Sequence, residues 1–273
     1  MTEKVAHQFV NKPEREREVR EFMKLTPDEV IERAGDQLRV AEDLDTLHKV
    51  FAQDIRDEIV ESNKRELITS FVVPVGPTGQ YPYLLDMIKE EELDLSHTYL
   101  FFMDEYCLKN GTAVSIEHPL SLKRIAKEKF LDHIPEESGL PAENVFFPNQ
   151  NNITKLASQI EEVGGIDACF GGIGIHGHVA FNEPGLNVHN SGPRRVTLND
   201  FTVTINSIRA QVGGNLENFP RQAYTIGMAQ ILGARKIRLY CRNGTPYDWA
   251  NTVLRIALFG EPGADYPVTY IRD

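Results

Sequence analysis

Cysteine is scarce in this chain, and the little there is does not organise it. Cys107, Cys169 and Cys241 are three in number, far apart, and without the paired spacing of a metal knuckle. That pattern fits free thiols in a reducing compartment rather than a disulfide scaffold. Cys169 lies in the apolar run Asp167-Ala168-Cys169-Phe170, so packing is its expected role. Basic charge is also in deficit, with 29 Lys and Arg against 40 Asp and Glu for a formal net charge of -11 and no extended basic stripe. Nucleic-acid and anionic-membrane partners are therefore not expected, because phosphate-rich surfaces need clustered cations. An anionic metabolite stays open, since a small site depends on its local field and its backbone N–H groups more than on net charge. No apolar run is long enough to span a bilayer, and the N-terminus is charged from Glu3 and Lys4 onward with no apolar signal core. A cytoplasmic location is expected. Internal repeats and low-complexity segments are missing as well.

What is present suffices for a packed core: 273 residues, 41% hydrophobic and 25% charged. Residues 1–35 are dense in Glu, Arg and Lys, as in Pro13-Glu14-Arg15-Glu16-Arg17-Glu18, and read as an exposed, solvated helical extension. Residues 36–273 read as one α/β domain. It opens with a helix whose Leu44, Leu47, Phe51, Ile55 and Ile59 recur at helical spacing and form a core stripe. Apolar runs at 68–75, 99–103, 145–147, 167–170 and 237–241 then alternate with helical stretches at 83–90, 120–131, 153–163 and 249–259. Strands apolar throughout are what a sheet covered on both faces requires. The expected fold is a doubly wound, mostly parallel α/β sheet with helices on both faces, whose ligands bind beyond the strand carboxyl ends.

Three loops at those ends carry unusual chemistry. Gly76-Pro77-Thr78-Gly79 follows the first apolar run and precedes a helix. Its glycines let a ligand approach the backbone, and the helix N-terminus favours an anion, although a plain strand-to-helix turn would look the same. Met103-Asp104-Glu105-Tyr106 places two acids at the end of an apolar run. A desolvated carboxylate there could shuttle protons near neutral pH, whereas solvated loop acids would be inert. The richest loop is Gly171-Gly172-Ile173-Gly174-Ile175-His176-Gly177-His178-Val179-Ala180-Phe181-Asn182-Glu183-Pro184-Gly185. Packing alone has no use for two histidines, an acid and five glycines together, which marks a site. Gly172, Gly174 and Gly177 spell the dinucleotide fingerprint, but the following residues look extended and then turned, without the helix a pyrophosphate needs. No cofactor is expected. His176, His178 and Glu183 also offer metal-type ligands, yet alternate residues on extended backbone point apart.

Together these three loops resemble the glucosamine-6-phosphate deaminase (isomerase) family, with 6-phosphogluconolactonase a more distant cousin. The resemblance runs from about Arg39 onward, and His178-Val179-Ala180-Phe181-Asn182-Glu183-Pro184 matches the deaminase pattern almost letter for letter. It implies a Rossmann-like sheet, commonly a homo-oligomer, and a sugar or sugar phosphate as small-molecule partner. It implies a reaction in which an amino-sugar phosphate opens, a proton moves from carbon 2 to carbon 1, and ammonia leaves to give a ketose phosphate. By position, Asp104 resembles the proton-moving carboxylate, His178 the ring-opening acid/base and Glu183 its orienter, while Gly76, Thr78, Gly79, Gly172, Gly174, Gly177 and Arg209 fall where substrate and phosphate are held.

The departures are as informative. His176 stands where the family usually has Asp, which puts a neutral or positive group beside the reacting centre. Ile208 occupies the position of an expected arginine, with Arg209 next to it, a slip that regular backbone would turn away from the ligand. No lysine stands near Asn243-Gly244-Thr245, where Arg242 is the nearest cation, and Gly79-Gln80-Tyr81 replaces a second glycine and a small residue. Each lost charge-assisted phosphate contact costs on the order of 1.5–3 kcal/mol. The chain stops at Asp273, where relatives have a further strand to come, and residues 268–271 read as strand by propensity while the resemblance implies a helical turn there. Beside the enzyme stand two other readings: a sugar-binding or regulatory homologue altered at His176, and a metal-dependent sugar enzyme using His176, His178 and Glu183.

Overall fold

In the computed structural model, residues 9–242 and 249–272 are described; Asn243, Gly244 and Thr245, where the family places its lysine, lie outside them. Five strands form a parallel sheet: β1 (Thr69–Val73), β2 (Thr98–Phe102), β4 (Val145–Phe146), β5 (Ala168–Gly172) and β8 (Lys236–Tyr240), in the order β4-β2-β1-β5-β8. Strand order runs outward in both directions from β1 and β5, so the crevice between their carboxyl ends is the topological switch point where such sheets bind ligands. The loops holding Gly76 to Gly79 and His176 to Glu183 leave from these two strands.

Both faces of the sheet are buried, which explains the uninterrupted apolar runs. Phe71, Val73, Leu100, Phe102 and Phe170 face α3 (Leu44–Lys64), α4 (Gln80–Glu90) and α5 (Leu122–Lys129), meeting Phe51, Ile55, Leu84 and Ala126. Val72, Phe101 and Cys169 point the other way, onto α6 (Leu156–Glu162), α8 (Met228–Leu232) and α9 (Ala250–Phe259). Cys169 is thus a packing residue. Leu44, expected in the core stripe, is 43% exposed because it opens the first turn of α3 beyond the sheet edge.

A second sheet was not apparent in the apolar runs. β3 (Asp104–Cys107), β7 (Gln222–Thr225) and β6 (Arg194–Thr197) pair antiparallel in the order β3-β7-β6, with α7 (Asp200–Arg209) and a small core of Tyr106, Phe181, Leu198, Val203 and Phe219 beneath. Met103 joins the two sheets: its N–H donates to Val73, and its carbonyl accepts from Ile226.

Two expectations are corrected. The charged extension is helical, as α1 (Lys12–Phe22) and α2 (Pro27–Ala34), but it is not simply solvated. It docks on α9, burying Phe22, Val30 and Ala34 and stacking Phe22 edge-on to Phe259 at 5.8 Å. Arg255 from α9 donates to the carbonyls of Phe22 and Leu25 at 2.6 and 2.9 Å, satisfying the end of α1. Residues 268–271 are not a strand; Pro267–Arg272 form a 3-10 helix, with Thr269 Oγ1 bonding the Tyr266 carbonyl and accepting from Gly263. Proline at the start and these local bonds override β propensity.

Candidate functional site

The two acids at the end of β2 part company on folding. Glu105 is buried and accepts from Tyr106 N, Ser121 Oγ, Leu122 N and Lys123 N at 2.8 to 2.9 Å, which makes it the anchor of the α5 N-terminus. Burial pushes its carboxyl up while those donors hold it down. Asp104 is buried too, at 9% exposure, and burial, reinforced by Glu105, pushes it up to about 8. A carboxyl poised there exchanges a proton with little energy lost in either direction.

In the second loop, Gly177 adopts a φ of +62° and closes a turn by donating to Gly174 O at 2.9 Å, while Gly174 N donates to His178 O at 2.8 Å. The His178 ring then lies flat on Gly174, where any Cβ would overlap it. His178 is buried; its Nδ1 is 3.6 Å from Glu183 Oε2 and 3.5 Å from Thr202 Oγ1. Burial, then His176 and Arg209, push the imidazole down to about 3, so it is neutral near neutral pH. Burial also pushes the Glu183 carboxyl up, against hydrogen bonds from Thr202 and Asn199 that hold it down. Asn199 caps α7 by accepting from Thr202 N, and its amide donates to Glu183 Oε2 at 2.6 Å.

Thr225 ties the loop to Asp104. It is the register partner of Asp104 on one side and Arg194 on the other, so the three side chains share one face of the small sheet. Its Oγ1 accepts from Phe181 N at 3.0 Å, and Asn182, fully buried, donates to Val179 O and Ile226 O. Arg194 donates to Asn182 Oδ1 at 2.8 Å. Asp104 and the segment bearing His178 and Glu183, more than seventy residues apart in sequence, are thus both tied to Thr225 at the end of β7.

The loop after β1 abuts the loop after β5: a Cβ on Gly172 would lie 3.8 Å from Pro77 Cδ. Gly79 caps α4, and the His48 ring of α3 covers it so closely that only glycine fits. Gly76 and Thr78 lie at the same crevice edge, exposed and half-buried respectively. The family departures here are structural. Gln80 is fully buried and donates to Pro77 O at 2.9 Å, and Tyr81 stacks on Phe130 at 4.6 Å within the core.

Arg209 corrects an expectation. It lies seven residues, two helical turns, beyond Thr202, on the face of α7 that meets His178. Its charge bears on His178 and Tyr106, and its guanidinium is 5.7 Å from the Trp249 ring. Ile208 points off that face, toward Gly213. The one-residue slip therefore turns the arginine toward the site. His176 sits edge-on to Phe201 and Tyr266 at 5.4 and 5.7 Å, and its Nδ1 lies 3.5 Å from the Asn199 amide that also holds Glu183. Among the described residues no three His, Cys, Asp or Glu side chains converge as a metal site requires. No helix opens at Gly172, Gly174 or Gly177. No helix among the described residues is long and apolar enough to cross a membrane.

Sequence reasoning missed Asn199, Thr202, Thr225 and His48. Asn199-Asp200 before an apolar helix is a cap signal that could have flagged the first pair. Nothing local marks the others, which earn their place only through tertiary contacts.

Among curated relatives, a glucosamine-6-phosphate deaminase of Thermoanaerobacter sp. (strain X514) is 32% identical over 199 residues, 71% of this chain and 73% of its own length. In fold, the chain is similar to a monomeric glucosamine-6-phosphate deaminase, with a TM-score of 0.70 at 23% identity over 85% of this chain and 91% of that one. A 6-phosphogluconolactonase from Thermotoga maritima follows at 0.62 and 16%, over 84% and 92%. No family profile matches. The deaminase-type loop, the switch-point crevice and this level of identity agree: the chain belongs to the glucosamine-6-phosphate deaminase family.

Proposed function

We propose that this protein deaminates glucosamine 6-phosphate or a close relative, with Asp104 moving the proton from carbon 2 to carbon 1. In this reading neutral His178 takes the proton of the anomeric hydroxyl and passes it to the ring oxygen as the bond from carbon 1 to that oxygen breaks, and Glu183, held by Asn199, orients it. Asp104 then removes the carbon-2 proton, the enolamine takes a proton at carbon 1, and water adds to the resulting carbon-2 imine as ammonia leaves. The product is a ketose phosphate, and no oxidant or cofactor is needed. The observation that carries the reading is the desolvated carboxyl of Asp104 joined through Thr225 to the segment bearing His178.

The phosphate handle in this proposal is the N-terminus of α4 with Gly76, Thr78 and Gly79, completed by Arg209. Gly172 lets the sugar approach the backbone, whereas the space over Gly174 and Gly177 is filled by the His178 and Tyr266 rings, so these two glycines serve the loop's fold and not the ligand. Residues 36–273 form the sugar-isomerase-like unit and 1–35 its extension. The reading further places the protein in the cytoplasm as a homo-oligomer, a state that sedimentation reads directly.

The test is ammonia and ketose-phosphate release in equal amounts from glucosamine 6-phosphate. Turnover of unphosphorylated glucosamine with equal efficiency would move the substrate class; ligand-induced stabilisation with no product would favour the regulatory reading that His176 suggests. Arg209→Ala should raise KM about 10- to 100-fold, the loss of one charged phosphate contact, with a smaller change in kcat. Gly174→Ala should cut kcat by on the order of 100-fold by displacing the His178 ring, and should lower the melting temperature as well because the added Cβ overlaps a buried side chain. Steady-state kinetics and a thermal melt read both variants.

A further inference from the structure

One element outside the crevice supports it from behind. The guanidinium of Arg15 in α1 is buried at 6% exposure and uses its whole fork: Nε and one Nη on Asp265 at 2.8 and 3.1 Å, the same Nη on Glu261 O at 2.7 Å, and the other Nη on Glu18 at 2.6 Å. It also stands 5.4 Å from the Tyr266 ring. Tyr266 packs against Gly177 so closely that a Cβ there would lie 2.7 Å from its Cδ1, and it is edge-on to His176. Val268 N donates to Gly177 O at 2.8 Å, and Gly185 N donates to Ala264 O at 3.0 Å. Residues 264–268 therefore brace both ends of the loop that carries His178 and Glu183, and Arg15 pins the brace.

Asp265 brings a further feature. The loop has His176 where its family has a carboxylate; burial pushes the His176 imidazole below its ordinary value, and the field of Asp265, next to the Tyr266 that lies edge-on to His176, opposes that fall. The other groups facing His176 are the Phe201 and Tyr266 rings and the Asn199 amide, with His178 on its own loop and Arg209 acting on His178 from α7.

We propose that Arg15 and Asp265 are positioning residues for this site: the guanidinium locks Asp265 and Tyr266 behind His176 and Gly177, so that α1 sets the posture of the His178 loop and holds in place the carboxylate which that loop lacks. The kinetic part rests on the deaminase reading; the geometric part does not.

The test uses full-length Arg15→Ala, Arg15→Lys and Asp265→Asn proteins. Arg15→Ala and Asp265→Asn should lower kcat about 10-fold or more with KM within about threefold, as misplacement of a catalytic loop does. Arg15→Lys keeps the charge without the fork, and should recover melting temperature without recovering kcat. Histidine side-chain NMR should show the His176 titration midpoint falling in Arg15→Ala and Asp265→Asn, because a nearby carboxylate has been moved or neutralised. A lowered melting temperature with kcat and the His176 midpoint both at wild-type values would overturn the proposal. If Arg15→Ala does not fold, the other two variants carry the test. If the wild type releases no ammonia, the functional reading fails, and the His176 midpoint alone decides this one.

Discussion

Asp104→Asn should lower kcat by on the order of 100- to 10,000-fold, the usual share of a positioned acid/base, while leaving KM nearly unchanged. The asparagine keeps shape and polarity but cannot take the carbon-2 proton. In the wild type the carboxyl must be ionised to act, and burial holds it at about 8. The kcat/KM profile should therefore climb with pH toward a plateau above about 8, after correction for titration of the substrate's own amine. Stability should move the opposite way. A folded-state carboxyl raised above its ordinary 3.8 keeps a proton that the unfolded chain releases, so the protein loses stability as pH rises from that value toward about 8. Asp104→Asn removes this penalty. Its melting temperature should match that of the wild type in acid and exceed it by several degrees in mild alkali, an outcome a thermal melt across pH reads without any substrate. Lower activity together with higher alkaline stability separates a working buried acid from a structural one.

His178→Gln is the second large effect, a fall in kcat of about 100- to 10,000-fold for the closed-ring sugar. Glutamine can occupy the space above Gly174, but it does not accept the anomeric proton. The imidazole is neutral because burial, His176 and Arg209 hold it down to about 3, so no acid limb from His178 should appear across the working range. A bell-shaped profile with an acid limb lost in His178→Gln would mean that Glu183 outweighs burial and that the protonated ring is the active form. Comparing wild type and variant at matched pH decides between them.

The parallel sheet was legible because its strands are buried on both faces and therefore continuously apolar; the runs containing Phe71, Phe101 and Cys169 could hardly be anything else. The small antiparallel sheet was not. Arg194-Arg195-Val196-Thr197 alternates between half-buried and exposed positions, and Asp104-Glu105-Tyr106-Cys107 is polar at its start, so neither shows an apolar signal of strand strength. Yet this second sheet is what carries Asp104 to Thr225 and the His178 loop. The chemistry was legible one loop at a time, although of the two acids at the end of β2 only the structure shows that Glu105 anchors α5 and leaves Asp104 as the candidate acid. Its assembly was not, because register between β3 and β7 leaves no mark in either segment. Arg209 shows the same limit: spacing placed it one residue out, and only the helical phase set by Thr202 turns it toward the site. The acidic and basic residues of α1 concealed the opposite case, a buried Arg15 within a segment whose composition reads as solvated.

The most direct measurement is a crystal structure with the open-chain alditol of glucosamine 6-phosphate, which holds the reacting carbons but cannot isomerise. Carbons 1 and 2 should lie between the Asp104 carboxylate and the His178 imidazole, with the phosphate at residues 76–79 and Arg209. A sugar bound elsewhere, or one that meets His178 while Asp104 stays sealed behind packed side chains, would contradict the account.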